Sequence, residues 1–190
     1  MDLDTSIIIT PIVPSESKKL QEVAKMTFFE AFKDQNEAQN MTHYLNTAFH
    51  IDQLKKELSD PNIMYFFITF FDQNQGELRE GIDRKKVIGY LKFNISTAQT
   101  EFKEDKGLEI ERLYIISAFQ NKKIGAYLIQ FAKQKARELH KHYIWLGVWQ
   151  KNERAIQFYK RHGITIFSSH PYTLGADIQT DYLMKYELYN

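Results

Sequence analysis

Two glutamates, Glu109 and Glu111, stand one residue apart in the stretch LEIERLYIISAFQNKKIGAYLIQ, Leu108 to Gln130. Side chains alternate along a strand, so both point to one side of it, where like charges raise each other's pKa and attract a cation. Such a pair suits general-base work, and it equally suits a solvated sheet face. Just beyond it, apolar alternation runs through Leu108 and Ile110 and resumes one residue out of phase at Leu113 and Ile115. A side-chain period of two admits that shift only with an extra residue near Arg112. This is a β-bulge, which bends the strand and frees backbone groups for an extended ligand. A strand that stops at Glu111 and passes into a loop has the same pattern. The basic turn from Gln120 to Lys123 leads into Ile124, Leu128, Phe131, Ala132, Ala136 and Leu139 at helical spacing. A helix starting close to Gly125 offers unpaired N–H groups and a positive dipole end, an anion site suited to a pyrophosphate. A solvated basic loop ahead of an ordinary helix looks alike. Farther on, Asn152 reads as the N-cap and Gly163 as the stop of a short helix that sets Ala155 and Tyr159 on one face.

These residues need elements to hold them. A β-branched stretch at Ile7 to Ile9 is followed by Pro11 and Pro14, then by a helix with Leu20, Val23, Ala24, Thr27, Phe28 and Ala31 on one face. Two helical pieces follow, around NEAQNMTHYLNTAF and IDQLKKELS, the second ended by Asp60-Pro61 because the residue before proline avoids the α region. NIMYFFITFF and KVIGYLKFNI read as buried strands joined by the polar, glycine-containing loop DQNQGELREGIDRK. Val87, Gly89, Leu91 and Phe93 lie on one side of the second strand, and Ser96 to Lys106 is expected to be a mobile loop. YIWLGVW, ITIFSSH and DYLMKYEL are further strands, giving an α/β sheet of mixed direction. Tyr65, Phe66, Phe67, Phe70 and Phe71 are expected to pack core and sheet, and Gln179, Thr180 and Asp181 suit either a substrate-facing place or a plain turn before the last strand.

Composition bounds the function. The 190 residues, 43% apolar, fit a single domain spanning 1–190. With 25 basic and 24 acidic residues nothing global attracts nucleic acid or an anionic membrane. The absence of cysteine excludes disulfides, zinc-thiolate sites and a cysteine nucleophile, and suits a reducing compartment. Two acids precede the first apolar run, unlike a secretory signal, and the run MYFFITFF is too short to span a bilayer, so a cytoplasmic protein is expected. The 6 histidines show no metal-ligand spacing, and no metal is expected.

The bulged strand EIERLYI, the turn QNKKIGA, the helix, the strand IWLGVW and the segment NERAIQFYKRHGI, in that order, resemble the GNAT superfamily of N-acetyltransferases. The family's pyrophosphate turn has the form Gln/Arg-x-x-Gly-x-Gly/Ala. Gln120 and Gly125 match it, while Lys123 stands where the first glycine is usual. TFFEAFKDQN, ELSDPN, IWLGVWQKNERAI and QTDYLM extend the likeness to the PaiA-type polyamine acetyltransferases.

The resemblance implies a mostly antiparallel sheet of about seven strands with a bulge splay, and about four flanking helices. It implies acetyl-CoA as cosubstrate, its pantetheine arm paired with the backbone of Leu113, Tyr114 and Ile115. Gln120, Asn121, Lys122, Lys123, Ile124, Gly125 and Ala126 would hold the pyrophosphate, and Asn152, Ala155 and Tyr159 would line the cofactor. Lys123 is expected to replace a glycine only with negative φ and with its side chain turned away or onto a phosphate. Acetyl transfer to an amine needs a base, for which Glu111 and Glu109 are the candidates, and Tyr159 stands where the family places its general acid. The implied partner is a small-molecule amine, a polyamine first, with an amino sugar, amino acid or protein amine as rivals. A homodimer and a non-catalytic acetyl-CoA binder stay open.

Overall fold

The computed structural model describes residues 6–33, 38–71, 85–174 and 177–189. In chain order they form β1 (Ile7–Pro11), α1 (Ser17–Phe32), α2 (Ala38–Ala48), α3 (Ile51–Leu58), β2 (Ile63–Phe71), β3 (Lys85–Ile95) and β4 (Gly107–Ile115). Then come α4 (Ile124–Glu138), β5 (Tyr143–Trp149), α5 (Glu153–Arg161), β6 (Thr165–Leu174) and β7 (Asp177–Glu187). The strands follow the order β1-β2-β3-β4-β5-β7-β6. This is the mixed α/β sheet of seven strands that the sequence implied, with five helices where about four were expected. His50 separates α2 from α3 where the sequence read two pieces: its backbone is extended and its ring accepts from the Asp52 N–H at 3.4 Å as the N-cap of α3. The expected hairpin loop ahead of β3 lies outside the described residues.

The chain divides into two compact units, one of residues 1–92 and 112–125, the other of residues 93–111 and 126–190. In the first, β1 pairs antiparallel with β2 from Ile7 opposite Phe70 to Pro11 opposite Phe66. The amphipathic spacing of α1 buries Leu20, Val23, Ala24 and Thr27, whose hydroxyl donates to the Val23 carbonyl at 2.9 Å. Leu20, Val23 and Ala24 pack with Ile12, Phe49, Leu54, Tyr65, Phe67 and Tyr90 in one core. Ala31, expected on the same face, is exposed.

In the second unit β5 is central. It pairs parallel with β4 over three residue pairs, from Gly107 opposite Tyr143 to Glu109 opposite Trp145. Its antiparallel ladder with β7 runs its whole length, from Tyr143 opposite Glu187 to Trp149 opposite Asp181. The outer strand β6 pairs with β7 and slips register between Ile166 and Ser168. On α4, Leu128, Ile129, Ala132 and Ala136 are buried, and Phe131 stacks on Phe93. Gly163, at φ +79°, ends α5 as expected, with the Ile164 N–H on the Tyr159 carbonyl at 3.1 Å. The segment expected to be a mobile loop is fastened. Gln99 is buried, accepts the Trp145 indole N–H at 2.6 Å and donates to the Glu104 carbonyl at 2.6 Å.

Candidate active site

The phase change in β4 is visible in what its residues meet. Alternation puts Tyr90, Lys92 and Asn94 of β3 on one face. Asn94 meets Glu109 and Glu111, whereas Tyr90 stacks on Tyr114, and the Arg112 guanidinium lies 4.5 Å from the centre of the Phe49 ring. β4 thus shows this face odd-numbered residues up to Glu111 and even-numbered ones from Arg112 onward, which places the extra residue where the sequence asked for it. Gly89 permits the result. A Cβ there would lie 2.1 Å from the Tyr114 carbonyl oxygen, so only glycine admits β4 this close.

The two carboxylates share one donor but differ in surroundings. The Asn94 amide nitrogen donates to Glu109 at 2.9 Å and to Glu111 at 2.6 Å. Glu109 is buried and also accepts from the Thr100 N–H at 2.9 Å and the Thr100 hydroxyl at 2.5 Å. Burial holds its carboxyl above the usual carboxylate range, the bonds from Thr100 and Asn94 oppose this, and the charge of Glu111 adds to it. Glu109 is therefore a hub that fastens the 96–106 segment. Glu111 is half-buried.

The turn before α4 is tied to its own strand, the Gln120 amide donating to the Ile115 carbonyl at 3.1 Å. Asn121 and Lys123 both have φ +61°. The negative φ expected to let lysine stand at 123 is thus absent: the residue takes the left-handed backbone of the glycine it replaces, because the turn geometry outweighs a cost of ~1–2 kcal/mol. The side chains of Asn121, Lys122 and Lys123 are exposed, Ile124 is buried, and Gly125 and Ala126 are half-buried.

On α5, the Asn152 side-chain oxygen accepts from the Ala155 N–H at 3.1 Å, the expected cap. Tyr159 follows Ala155 by one turn. Burial pushes its hydroxyl up to about 12, so it stays protonated and able to donate. The expected residues fall in two groups: Leu113 to Gly125 in the first unit, and Glu109, Glu111, Ala126, Asn152, Ala155 and Tyr159 in the second.

A bulged strand, an anion-suited turn opening a helix, paired glutamates and a capped helix bearing a tyrosine invite comparison with known proteins. Residues 26–164 match the model of the acetyltransferase (GNAT) family. The chain belongs to the GNAT family. An uncharacterised N-acetyltransferase of Lactobacillus delbrueckii subsp. lactis is 35% identical over 181 residues, covering 95% of this GNAT chain and 97% of the relative. Among solved structures, the PaiA N-acetyltransferase of Thermoplasma acidophilum in complex with coenzyme A superposes with a TM-score of 0.71 at 19% identity, covering 96% of this chain and 99% of that one. The spermidine/spermine N-acetyltransferase SpeG of Vibrio cholerae, solved in mutant forms, gives 0.66 at 16% identity, covering 97% of this chain and 95% of that one. At these identities the two structures support the fold alone.

Three residues of the site were not read from the GNAT sequence. Asn94 gave no signal beyond its place in a strand, Thr100 sits in a polar loop, and Gly89 read as one more strand residue. Glycine inside an apolar strand is the one available clue, since it marks a close backbone approach. Among the described residues no three His, Asp or Glu side chains converge as metal ligands, and no helix is long and apolar enough to cross a membrane.

Proposed function

We propose that this GNAT chain transfers acetyl from acetyl-CoA to a primary amine, with a polyamine such as spermidine or spermine as the acceptor class. The observation that carries the reading is the carboxylate pair Glu109 and Glu111, joined by Asn94 on the strand that changes phase. The coenzyme A in the PaiA relative and the spermidine and spermine in the name of SpeG point the same way.

The residues present fit the cosubstrate. The ladder between β4 and β5 ends at Glu109, which supports pairing of the pantetheine arm with the backbone of Leu113, Tyr114 and Ile115. The N–H groups from Lys122 to Ala126 begin a 15-residue helix beside two exposed lysines, a setting for a pyrophosphate. The Asn152 amide nitrogen is not used by the cap and serves the pantetheine amides, with Ala155 alongside. Acetyl-CoA supplies an acetyl thioester that a neutral amine attacks.

A primary amine with a pKa of ~10.4 arrives protonated at neutral pH. Glu111, half-buried where Glu109 is buried, takes the proton directly or through water, and Glu109 holds Asn94 and the 96–106 segment in place. Tyr159 gives a hydrogen bond to the departing thiolate. Its hydroxyl at about 12 is a weaker acid than a thiol near ~8.5, so donation of the bond is its contribution.

The test is release of CoA thiol on adding spermidine, an amino sugar or a lysine peptide. Release is expected first with spermidine, and E111Q lowers kcat/KM at neutral pH by about 10²-fold or more. An unchanged rate in E111Q removes it as base. Release only with the sugar or the peptide moves the acceptor class, and acetyl-CoA binding without release on any amine leaves a non-catalytic binder.

A further inference from the structure

Asn94 sits near the end of β3, in a stretch where residues 88–94 are all buried, and is itself 1% exposed. Asparagine is depleted in strands, and a β-branched apolar residue suits such a place better. What the amide does instead is polar. Its nitrogen has two N–H donors, and they serve Glu109 at 2.9 Å and Glu111 at 2.6 Å. Its Oδ1 is closed off from solvent and accepts from no described residue. A buried acceptor without a donor carries a desolvation cost. Turning the amide over gives no relief, because its oxygen would then face two carboxylates. The side chain is thus placed for the carboxylates at the expense of its own oxygen.

The two glutamates depend on it unequally. Glu109 keeps the Thr100 N–H and hydroxyl whatever stands at position 94. Glu111 takes the shorter of the two amide bonds, through Oε2. A hydrogen bond to a carboxylate favours its charged form, whereas a second carboxylate on the same strand face disfavours it. The amide therefore opposes the repulsion that the pair creates.

Other charged groups of the neighbourhood have partners of their own. Lys92, two residues back on β3, pairs with Glu57 at 3.1 Å, and Glu57 also accepts from the Tyr65 hydroxyl. On the 96–106 segment Glu101 lies 3.5 Å from His170, Glu104 accepts from the Tyr143 hydroxyl, and Asp105 accepts from the Ser96 hydroxyl at 2.5 Å.

We infer that Asn94 is a positioning residue for the base: its amide holds the Glu111 carboxylate oriented and ionised beside Glu109, ready to take a proton from the acceptor amine. This rests on the amine acetylation proposed above, with Glu111 as its base.

The experiment is the pH profile of kcat/KM for spermidine, or for whichever amine the wild type accepts, in the wild type, N94L and N94D. Both variants remove the donors, and N94D keeps the shape of the amide, so it carries the test if N94L does not fold. Thermal unfolding shows which variants are folded. The acid limb is expected to move up by about one pH unit or more, so that kcat/KM on the acid side falls about tenfold or more and recovers as pH rises. A rate lowered equally at every pH in a folded variant, or an unchanged profile, gives Asn94 a packing role and overturns the inference. If the wild type acetylates no amine, the proposed function fails, and the carboxyl titration decides Asn94 separately. Carbon-13 NMR follows it, with the resonances of Glu109 and Glu111 assigned by their loss in E109Q and E111Q. Titration of Glu111 about one pH unit or more higher without the amide sustains the inference, and unchanged titration refutes it.

Discussion

Replacing Gly89 by alanine tests whether the close approach of β3 and β4 holds the bulged strand in place. The added Cβ would stand 2.1 Å from the Tyr114 carbonyl oxygen and 3.1 Å from the Ile115 Cα, backbone atoms that no side-chain rotation can relieve. Such contacts are essentially never shorter than 3.0 Å. β4 must therefore retreat by about 1 Å, which close packing resists. The Ile116 N–H now sits 2.9 Å from the Ile88 carbonyl, and the same retreat would take it past hydrogen-bonding range. A lost hydrogen bond of about 1 kcal/mol and an overpacking strain of about 1–3 kcal/mol together give about 2–4 kcal/mol. For a chain of this size that lowers Tm by about 5–15 °C. Thermal unfolding followed by circular dichroism and by tryptophan fluorescence reads it, with G147A as the control that adds a methyl without a close contact. CoA-thiol release should fall as well, because a 1 Å displacement of a positioning strand costs roughly 10²-fold. A G89A variant melting within about 2 °C of wild type would refute the reasoning.

Three other outcomes follow from the site. K123G relieves the left-handed strain at φ +61° and raises stability by about 0.5–1 kcal/mol net of the freer unfolded chain; denaturant titration reads it, and a loss of stability would mean the lysine is held by a contact. Y159F keeps acetyl-CoA affinity by calorimetry while kcat drops, and full activity in Y159F would return the tyrosine to packing. Burial holds the Asp181 carboxyl above its ordinary 3.8, so the fold binds that proton more tightly than the unfolded chain does. The stability it contributes is full below that value and is lost as pH rises through the raised one. D181N should therefore gain on wild type as pH rises above about 4, and a gap in Tm that stays constant as pH is raised from there would contradict the assignment.

Much of the scaffold was legible because its signals are local. Thr27 and Leu20 lie on the buried stripe of α1, Asn152 and Gly163 bracket α5, and Tyr65, Phe66 and Phe67 of β2 are buried while Phe70 and Phe71 are half-buried, each from periodicity or capping chemistry that needs only near neighbours. Ala31 was misplaced because a stripe of fixed period does not say where the core beneath it ends.

The sequence by itself determined that β4 changes phase near Arg112, that two glutamates precede the change, and that a basic turn opens the helix after it. Period-two alternation and helical spacing are properties of the chain alone. Only the tertiary structure decided what those residues became. Asn94 and Thr100 come from outside the strand that carries the two carboxylates, and their positions make Glu109 a buried hub while Glu111 stays half-buried. Lys123 took a glycine's backbone because the turn's closure, not the residue's own preference, set its φ. Asp181 met His170 because β6 and β7 pair in one register, and pairing between strands is a non-local contact that no local pattern encodes.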